Sequence, residues 1–305
     1  MSRWLNSPVA IGIGTREIVV GVRAPGLWHP RKHLPPAEPA SFTIPDDGYG
    51  TESGLLDALR AALVAPPAAD AADAVDAVDA ADAAESAPRQ AKSPTRNAHV
   101  VLDDFWGNHA ILRGDFRTLS ARELEEVALA HFTDTYGIDG ASLLVRFCVQ
   151  QGGRALFASA MSRALHDGIH EVGAAGNVRI SRMKLGLPEM LNCTDVVAGG
   201  DALLIFVSEE LMQAVMIERR GWAAYDAQRL FPGDAGNASR LAELAEQLFE
   251  RSATRAGFRR EDCTVYLFGN DTDPAPFEAR FAAAIRPAQP ASDSTPARRL
   301  MEHAQ

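Results

Sequence analysis

Two apolar stretches, each broken by a short polar turn, set the strongest limit on what this chain can fold into. The first is Val9-Ala10-Ile11-Gly12-Ile13-Gly14-Thr15-Arg16-Glu17-Ile18-Val19-Val20-Gly21-Val22. Its β-branched runs flank the turn Gly14 to Glu17, which predicts a β-hairpin. Asp201 to Val207 and Leu211 to Glu218 repeat the arrangement late in the chain, joined through Ser208-Glu209-Glu210. A hairpin leading each of two halves predicts a duplicated α/β fold. A glycine beside a hydroxyl residue in such a turn also lets backbone N–H groups approach a phosphate, because no side chain intervenes.

Charge removes one class of partner. A formal charge of −10 argues against a nucleic-acid-binding surface, which needs clustered Lys and Arg. Only Lys32, Lys92 and Lys184 are lysines, so arginine carries nearly all the positive charge. Cys148, Cys193 and Cys263 lie far apart in apolar contexts, which predicts buried, reduced thiols rather than a disulfide framework or a zinc site. The opening Met1-Ser2-Arg3-Trp4 lacks the apolar core of a signal peptide. No window reaches the run of about 18 apolar residues that a membrane span needs. A cytosolic protein is expected, with any membrane association coming through a partner.

The length of 305 residues allows one large or two medium domains. Residues 1–64 hold the hairpin, a Pro-rich excursion and a helix from about Gly54 to Leu63. Residues 65–96 are an Ala/Asp-rich stretch with Asp70, Asp73, Asp76, Asp79 and Asp82. Aspartates three apart repel along a helix, and almost nothing there can be buried, so a flexible insertion is expected. Residues 97–160 form a hairpin-containing subdomain. In it His99 to Leu102 and His109 to Arg113 pair around a turn at Asp103 to Asn108. Ser120-x-x-Glu123 is a capping box opening a helix that Tyr136-Gly137 ends. Strands at 142–149 and 154–159 follow. Residues 161–200 add a helix (Met161 to Val172), a strand (Val178 to Lys184) and a short helix, closing at Gly199-Gly200. Residues 201–286 form the second half: the hairpin, a strand (Trp222 to Arg229), a helix (Ser239 to Ala256), a strand (Thr264 to Phe268) and a helix (Pro276 to Ile285). Residues 287–305 read as a loose tail.

Three strands, a helix, a strand and a helix is the order of a ribonuclease-H-like unit, and two in tandem give the actin-like ATPase architecture. The chain resembles the actin-like components of bacterial type IV pilus and type II secretion platforms, the PilM-like and GspL-like proteins. The likeness rests on Ile11-Gly12-Ile13-Gly14-Thr15 at the first phosphate position and Asp201 to Arg219, followed by Gly221-Trp222, at the second. It also rests on Val265-Tyr266-Leu267-Phe268-Gly269-Asn270, an apolar strand ending in glycine where the family holds adenosine. Val100 to Gly114 resembles the extra hairpin subdomain of this group. The resemblance makes Gly12, Gly14, Thr15, Ser208, Glu209, Gly269 and Asn270 the vestigial nucleotide-binding positions. It further implies a partner: the cytoplasmic tail of a bitopic inner-membrane protein, lying in a groove beside the hairpin subdomain. Phe105 and Trp106 are the candidate contacts if exposed at the hairpin tip, while a Trp beside a turn more often caps the core.

The departures from the family pattern decide the expected chemistry. Active members carry an aspartate where this chain has Gly12, and glycine has no oxygen with which to hold Mg²⁺ and its waters. The second loop offers Ser208, Glu209 and Glu210 and no glycine, and its carboxylates repel a polyphosphate. These losses predict a degenerate, non-catalytic scaffold with no cofactor required and at most ATP and Mg²⁺ at a degraded site. The alternatives are a nucleotide-dependent ATPase or kinase of the same superfamily, and a stand-alone binding protein sharing only the fold. There is no P-loop and no nucleophile elbow, and Gly12-x-Gly14-x-x-Glu17 lacks the third glycine of a dinucleotide fingerprint. His166-x-x-x-His170 places two imidazoles on one helical face. With Gly168 weakening that helix and no third ligand identifiable, it reads as a polar surface, and no metal site is expected.

Overall fold

The structure, a computed structural model, describes residues 8–22, 38–64, 95–194, 201–219, 221–253, 259–269, 271–287 and 295–304. Asn270, Gly199-Gly200, most of the Pro-rich excursion and all but the end of the 65–96 insertion lie outside them. The chain divides into two compact units, residues 1–103 with 164–191 and 294–305, and residues 104–163 with 192–293.

The first unit is built on a five-stranded sheet. β1 (Val9–Ile13) and β2 (Glu17–Val22) form the predicted hairpin, closed where the Gly14 N–H donates to the Glu17 carbonyl at 2.9 Å. β3 (Ala40–Thr43) extends it antiparallel. β4 (Arg96–Leu102) and β8 (Val178–Leu185) run parallel on the other side, giving the order β3-β2-β1-β4-β8. α1 (Glu52–Val64) buries Leu55, Leu59 and Leu63, and α3 (Arg163–Ala175) buries Leu165, Ile169 and Val172. α4 (Gly186–Asn192) follows β8.

The opposite face of this sheet holds the largest departure from expectation. Residues 296–303, read as part of a loose tail, are a helix, α7 (Pro296–His303), capped by Thr295. Its Ala297, Leu300, Met301 and Ala304 pack on Ala10, Val19 and Val101. Helical spacing puts the apolar residues of this polar-looking segment on one stripe, and docking supplies the stability that so short a helix lacks alone.

The second unit repeats the architecture. β9 (Ala202–Val207), β10 (Leu211–Glu218) and β11 (Gly221–Arg229) form the antiparallel part, and β12 (Thr264–Phe268) and β13 (Ala283–Ile285) run parallel to it. The order is β11-β10-β9-β12-β13, the same pattern as in the first unit. α5 (Ala238–Ala253) covers it with Leu241, Ala245 and Leu248. The helix expected at 276–285 is only α6 (Ala275–Glu278), and its last residues instead form β13, paired with Thr264 to Tyr266.

A three-stranded sheet, order β5-β7-β6, belongs to the second unit. It comprises β5 (Gly107–Arg113), β6 (Leu143–Gln150) and β7 (Ala155–Ser162). The expected pairing of 99–102 with 109–113 does not form: β4 is an inner strand of the first sheet, and β5 pairs with β7. The apolar run Val100-Val101-Leu102, buried throughout, is the signature of a parallel inner strand rather than of a hairpin arm. The hairpin of this subdomain is β6–β7. α2 (Ala121–Tyr136) packs Leu124, Ala128 and Phe132 on it. The capping box forms as read, with the Glu123 carboxylate accepting from the Ser120 N–H at 2.7 Å, and Gly137 ends the helix in the left-handed region at φ 67°. Those hydrogen bonds hold the Glu123 carboxyl below its ordinary pKa.

Cys148 and Cys193 are exposed, contrary to the expectation of three buried thiols, and Cys263 alone is buried. Alternation along the edge strand β6 turns Cys148 outward, whatever its apolar neighbours suggest. Burial, reinforced by Asp201, pushes the Cys263 thiol up to about 12. A maleimide reagent at pH 8 should therefore modify two thiols rapidly and Cys263 only after denaturation. Rapid uptake of a third equivalent by the native protein would contradict this placement.

Candidate functional site

The sequence-predicted residues fall into both units. In the first, Gly12, Gly14 and Thr15 are all buried. Gly12 lies in the middle of β1 on the face that α7 covers. A Cβ built there would overlap the Ala297 carbonyl oxygen and the Met301 backbone nitrogen, with Met301 Cα at 3.0 Å. Gly14 faces the Ala297 Cβ, and a Cβ built on Gly21 would stand 2.8 Å from the Met301 sulfur. The glycines thus let the backbone of α7 lie close on the β1–β2 hairpin. The space beside Gly12 is filled by the chain's own helix, α7.

In the second unit, Ser208 begins the β9–β10 turn. Its N–H and its hydroxyl both donate to the Leu211 carbonyl, at 2.9 and 3.2 Å, so its polar groups close the turn. Glu209 is exposed at the tip. Gly269, at φ 109°, ends β12 with its α-carbon close to the Val207 backbone, so this turn and the β12 terminus are neighbours. Among the described residues no group of three or more His, Cys, Asp or Glu is placed to hold a metal ion. No helix among them is long and apolar enough to cross a membrane.

Phe105 and Trp106 are not an exposed pair, and Trp106 takes the core-capping place that a Trp beside a turn more often has. Both sit in a single 3-10 turn (Asp104–Trp106), where Trp106 is 9% exposed and Phe105 is half-buried. The Arg229 guanidinium lies 4.2 Å from the Phe105 ring centre, and the two aromatic rings meet edge to face at 5.1 Å. Asp103-Asp104 made the segment look like a solvated tip. In fact Asp104 is 3% exposed, and its charge is met from inside the fold.

That meeting is a buried polar chain which sequence reasoning missed. Asp104 Oδ1 is 2.7 Å from Nε2 of His109, itself 2% exposed, and Nδ1 of His109 is 2.7 Å from Ser159 Oγ. Gln213 Nε2 donates to Asp104 Oδ2 at 3.1 Å, and the Tyr225 hydroxyl donates to Gln213 Oε1 at 3.1 Å. One consistent assignment runs through it, with His109 carrying its proton on Nε2 towards the carboxylate and accepting from Ser159 on Nδ1. Serine, histidine and aspartate together invite comparison with a hydrolytic triad, but the imidazole is turned the other way round, with the carboxylate on Nε2. Phe157 stacks on His109 at 5.7 Å and Tyr225 meets it edge-on at 5.4 Å. The network draws on β5 and β7 of the small sheet and on β10 and β11 of the large one, and it joins the two within one unit. Around it Arg113 pairs with Glu218 and donates to the Ala223 carbonyl at 3.0 Å, and Gln151 donates to the Trp222 carbonyl at 2.9 Å. Five residues from five segments leave no linear motif. The available signal was an aspartate pair set between two apolar strands.

Comparison with solved structures settles the architecture. A Bacteroides thetaiotaomicron protein described as having an actin-like ATPase fold and unknown function superposes with a TM-score of 0.57 at 7% identity, covering 93% of each chain. The fold is the actin-like ATPase fold. A structure of the PilM-PilN type IV pilus biogenesis complex matches with a TM-score of 0.50 at 12% identity, covering 86% of this chain and 82% of that one. The cytoplasmic domain of EpsL, an inner-membrane component of the Vibrio cholerae type II secretion system, gives 0.49 at 10% identity, covering 98% and 94%. No protein-family model matches the sequence, and no curated protein matches it. Within the actin-like frame, the duplicated sheets are the two ribonuclease-H-like halves. The three-stranded sheet is the subdomain inserted into the first half of the sequence, here packed as part of the second unit.

Proposed function

We propose that this chain is a non-catalytic, actin-like scaffold of a pilus or secretion assembly platform, which binds the cytoplasmic tail of a single-pass inner-membrane protein. The observation that carries the non-catalytic part is the seat of α7 on Gly12. An actin-like ATPase needs a carboxylate near the phosphates to hold Mg²⁺, and here that position has neither a side chain nor room for one. At the second loop, Ser208 spends its donors on Leu211, and Glu209 adds negative charge where phosphates would need positive. Support for the assembly role comes from the fold shared with PilM of the pilus complex. An extended tail suits such a protein, since main-chain hydrogen bonds to a sheet edge give affinity and alternate side chains give specificity.

Calorimetric titration with Mg-ATP should give no affinity tighter than about 10 μM, near −7 kcal/mol. Tighter binding with turnover would replace the scaffold reading with that of an ATPase or kinase. Affinity capture from solubilised membranes should recover a bitopic protein, and a synthetic peptide of its cytoplasmic tail should compete for binding. Failure of the tail peptide to bind would leave a stand-alone binding protein as the reading.

A further inference from the structure

We propose that His166 and His170 on α3 form a surface site for one borderline divalent transition-metal ion, Cu²⁺ most tightly, with water completing the coordination shell. Four residues apart, the two side chains rise from one face of the helix, one turn from each other. Their ring centres are 4.6 Å apart, the rings tilted by 47°. That spacing lets small χ rotations turn one nitrogen of each imidazole onto a shared ion.

A second observation points the same way. Nδ1 of His166 is 2.9 Å from Oδ1 of Asp167. A carboxylate on one imidazole nitrogen orients the ring and leaves Nε2 as the lone-pair donor. His170 is exposed, so its ring is open to an ion arriving from solvent.

The helix is firm where the sequence suggested weakness. Gly168 interrupts nothing, because α3 runs unbroken from Arg163 to Ala175. A Cβ at 168 would stand 2.7 Å from the Leu56 Cδ1 of α1, so the glycine sits at the contact with α1, on the side away from the histidines. Leu165 and Ile169, 1% and 0% exposed, anchor the same turn. The two donors are thus carried on a braced element, which cuts the ordering cost of chelation. With only two protein donors the site is of the open kind, and the Irving–Williams order places Cu²⁺ above Ni²⁺, Co²⁺ and Zn²⁺ at nitrogen ligands.

The test uses the full chain without an affinity tag and CuCl₂ as the probe. Calorimetry should show one equivalent bound with micromolar affinity. His166→Gln and His170→Gln should each weaken it at least about tenfold, and Asp167→Asn should weaken it by about tenfold through loss of the orienting carboxylate. Electron paramagnetic resonance of the wild-type complex should show hyperfine coupling to two imidazole nitrogens, a readout independent of any variant's folding. Binding unchanged in both histidine variants, or a spectrum without two coupled nitrogens, would overturn the proposal.

Discussion

Replacing Gly12 with aspartate should unfold or undock the first unit rather than install a magnesium site. The new Cβ would meet the backbone of Ala297 and Met301, which no side-chain rotation can move aside. Overpacking of this kind costs about 1–3 kcal/mol, and a carboxylate buried without a partner adds at least as much. A total of about 3 kcal/mol or more corresponds to a fall in melting temperature of roughly 10 °C. Gly12→Ala should lie between aspartate and wild type, and Gly236→Ala, at a position open to solvent in the second unit, should change stability by less than about 0.5 kcal/mol. Thermal melts of the three variants, with Mg-ATP titration of each, provide the measurement. An aspartate variant melting with wild type would mean that α7 does not lie on β1.

Removing His109 should be the most costly single change in the second unit. In His109→Ala, Asp104 keeps one donor, the Gln213 amide, and loses the imidazole, while Ser159 loses its acceptor. Taking one donor from a buried carboxylate costs about 1–3 kcal/mol or more, because the group is left only partly hydrogen-bonded. Asp104→Asn should cost less, since an amide oxygen still accepts from His109. Replacing Asp104 and His109 together with leucines should recover part of the loss, because the penalty belongs to the abandoned charge rather than to the pair. Chemical denaturation of wild type, His109→Leu, Asp104→Leu and the double-leucine variant gives a double-mutant cycle. Additive losses across that cycle would show that the two side chains act independently.

Much of the architecture was legible before the structure. The alternating and β-branched runs at 9–22 and 201–218 gave both hairpins, and the capping box gave α2 to within a residue, because these signals are local. β13 and α7 were missed for a common reason. Ala283-Ala284-Ile285 is too short to carry a period, and residues 296–303 show amphipathicity only once a sheet face exists to receive it. The β4–β5 pairing failed because the turn at Asp103–Trp106 looked like a hairpin loop, whereas β4 is already paired on both edges. At the site, the residues that cover Gly12, Ala297 and Met301, lie almost the whole chain away in sequence. The Asp104 network was hidden for the same reason. Its five members are unremarkable in sequence and meet only through tertiary packing.

The position of α7 also governs when the first unit can be completed during synthesis. β1, β2 and β4 are made early, and their Ala10–Gly12–Gly21–Val101 face has no cover until residues 295–304 have been translated, after everything in the second unit. At about 5–20 residues per second the ribosome takes on the order of ten seconds or more to cover that interval. Throughout it the nascent chain presents an apolar, glycine-floored strip that a holding chaperone, or another nascent copy, can occupy. Whatever reaches that strip first must give way to α7 for the protein to mature, so release from such a holder would set the pace of its appearance in the cell.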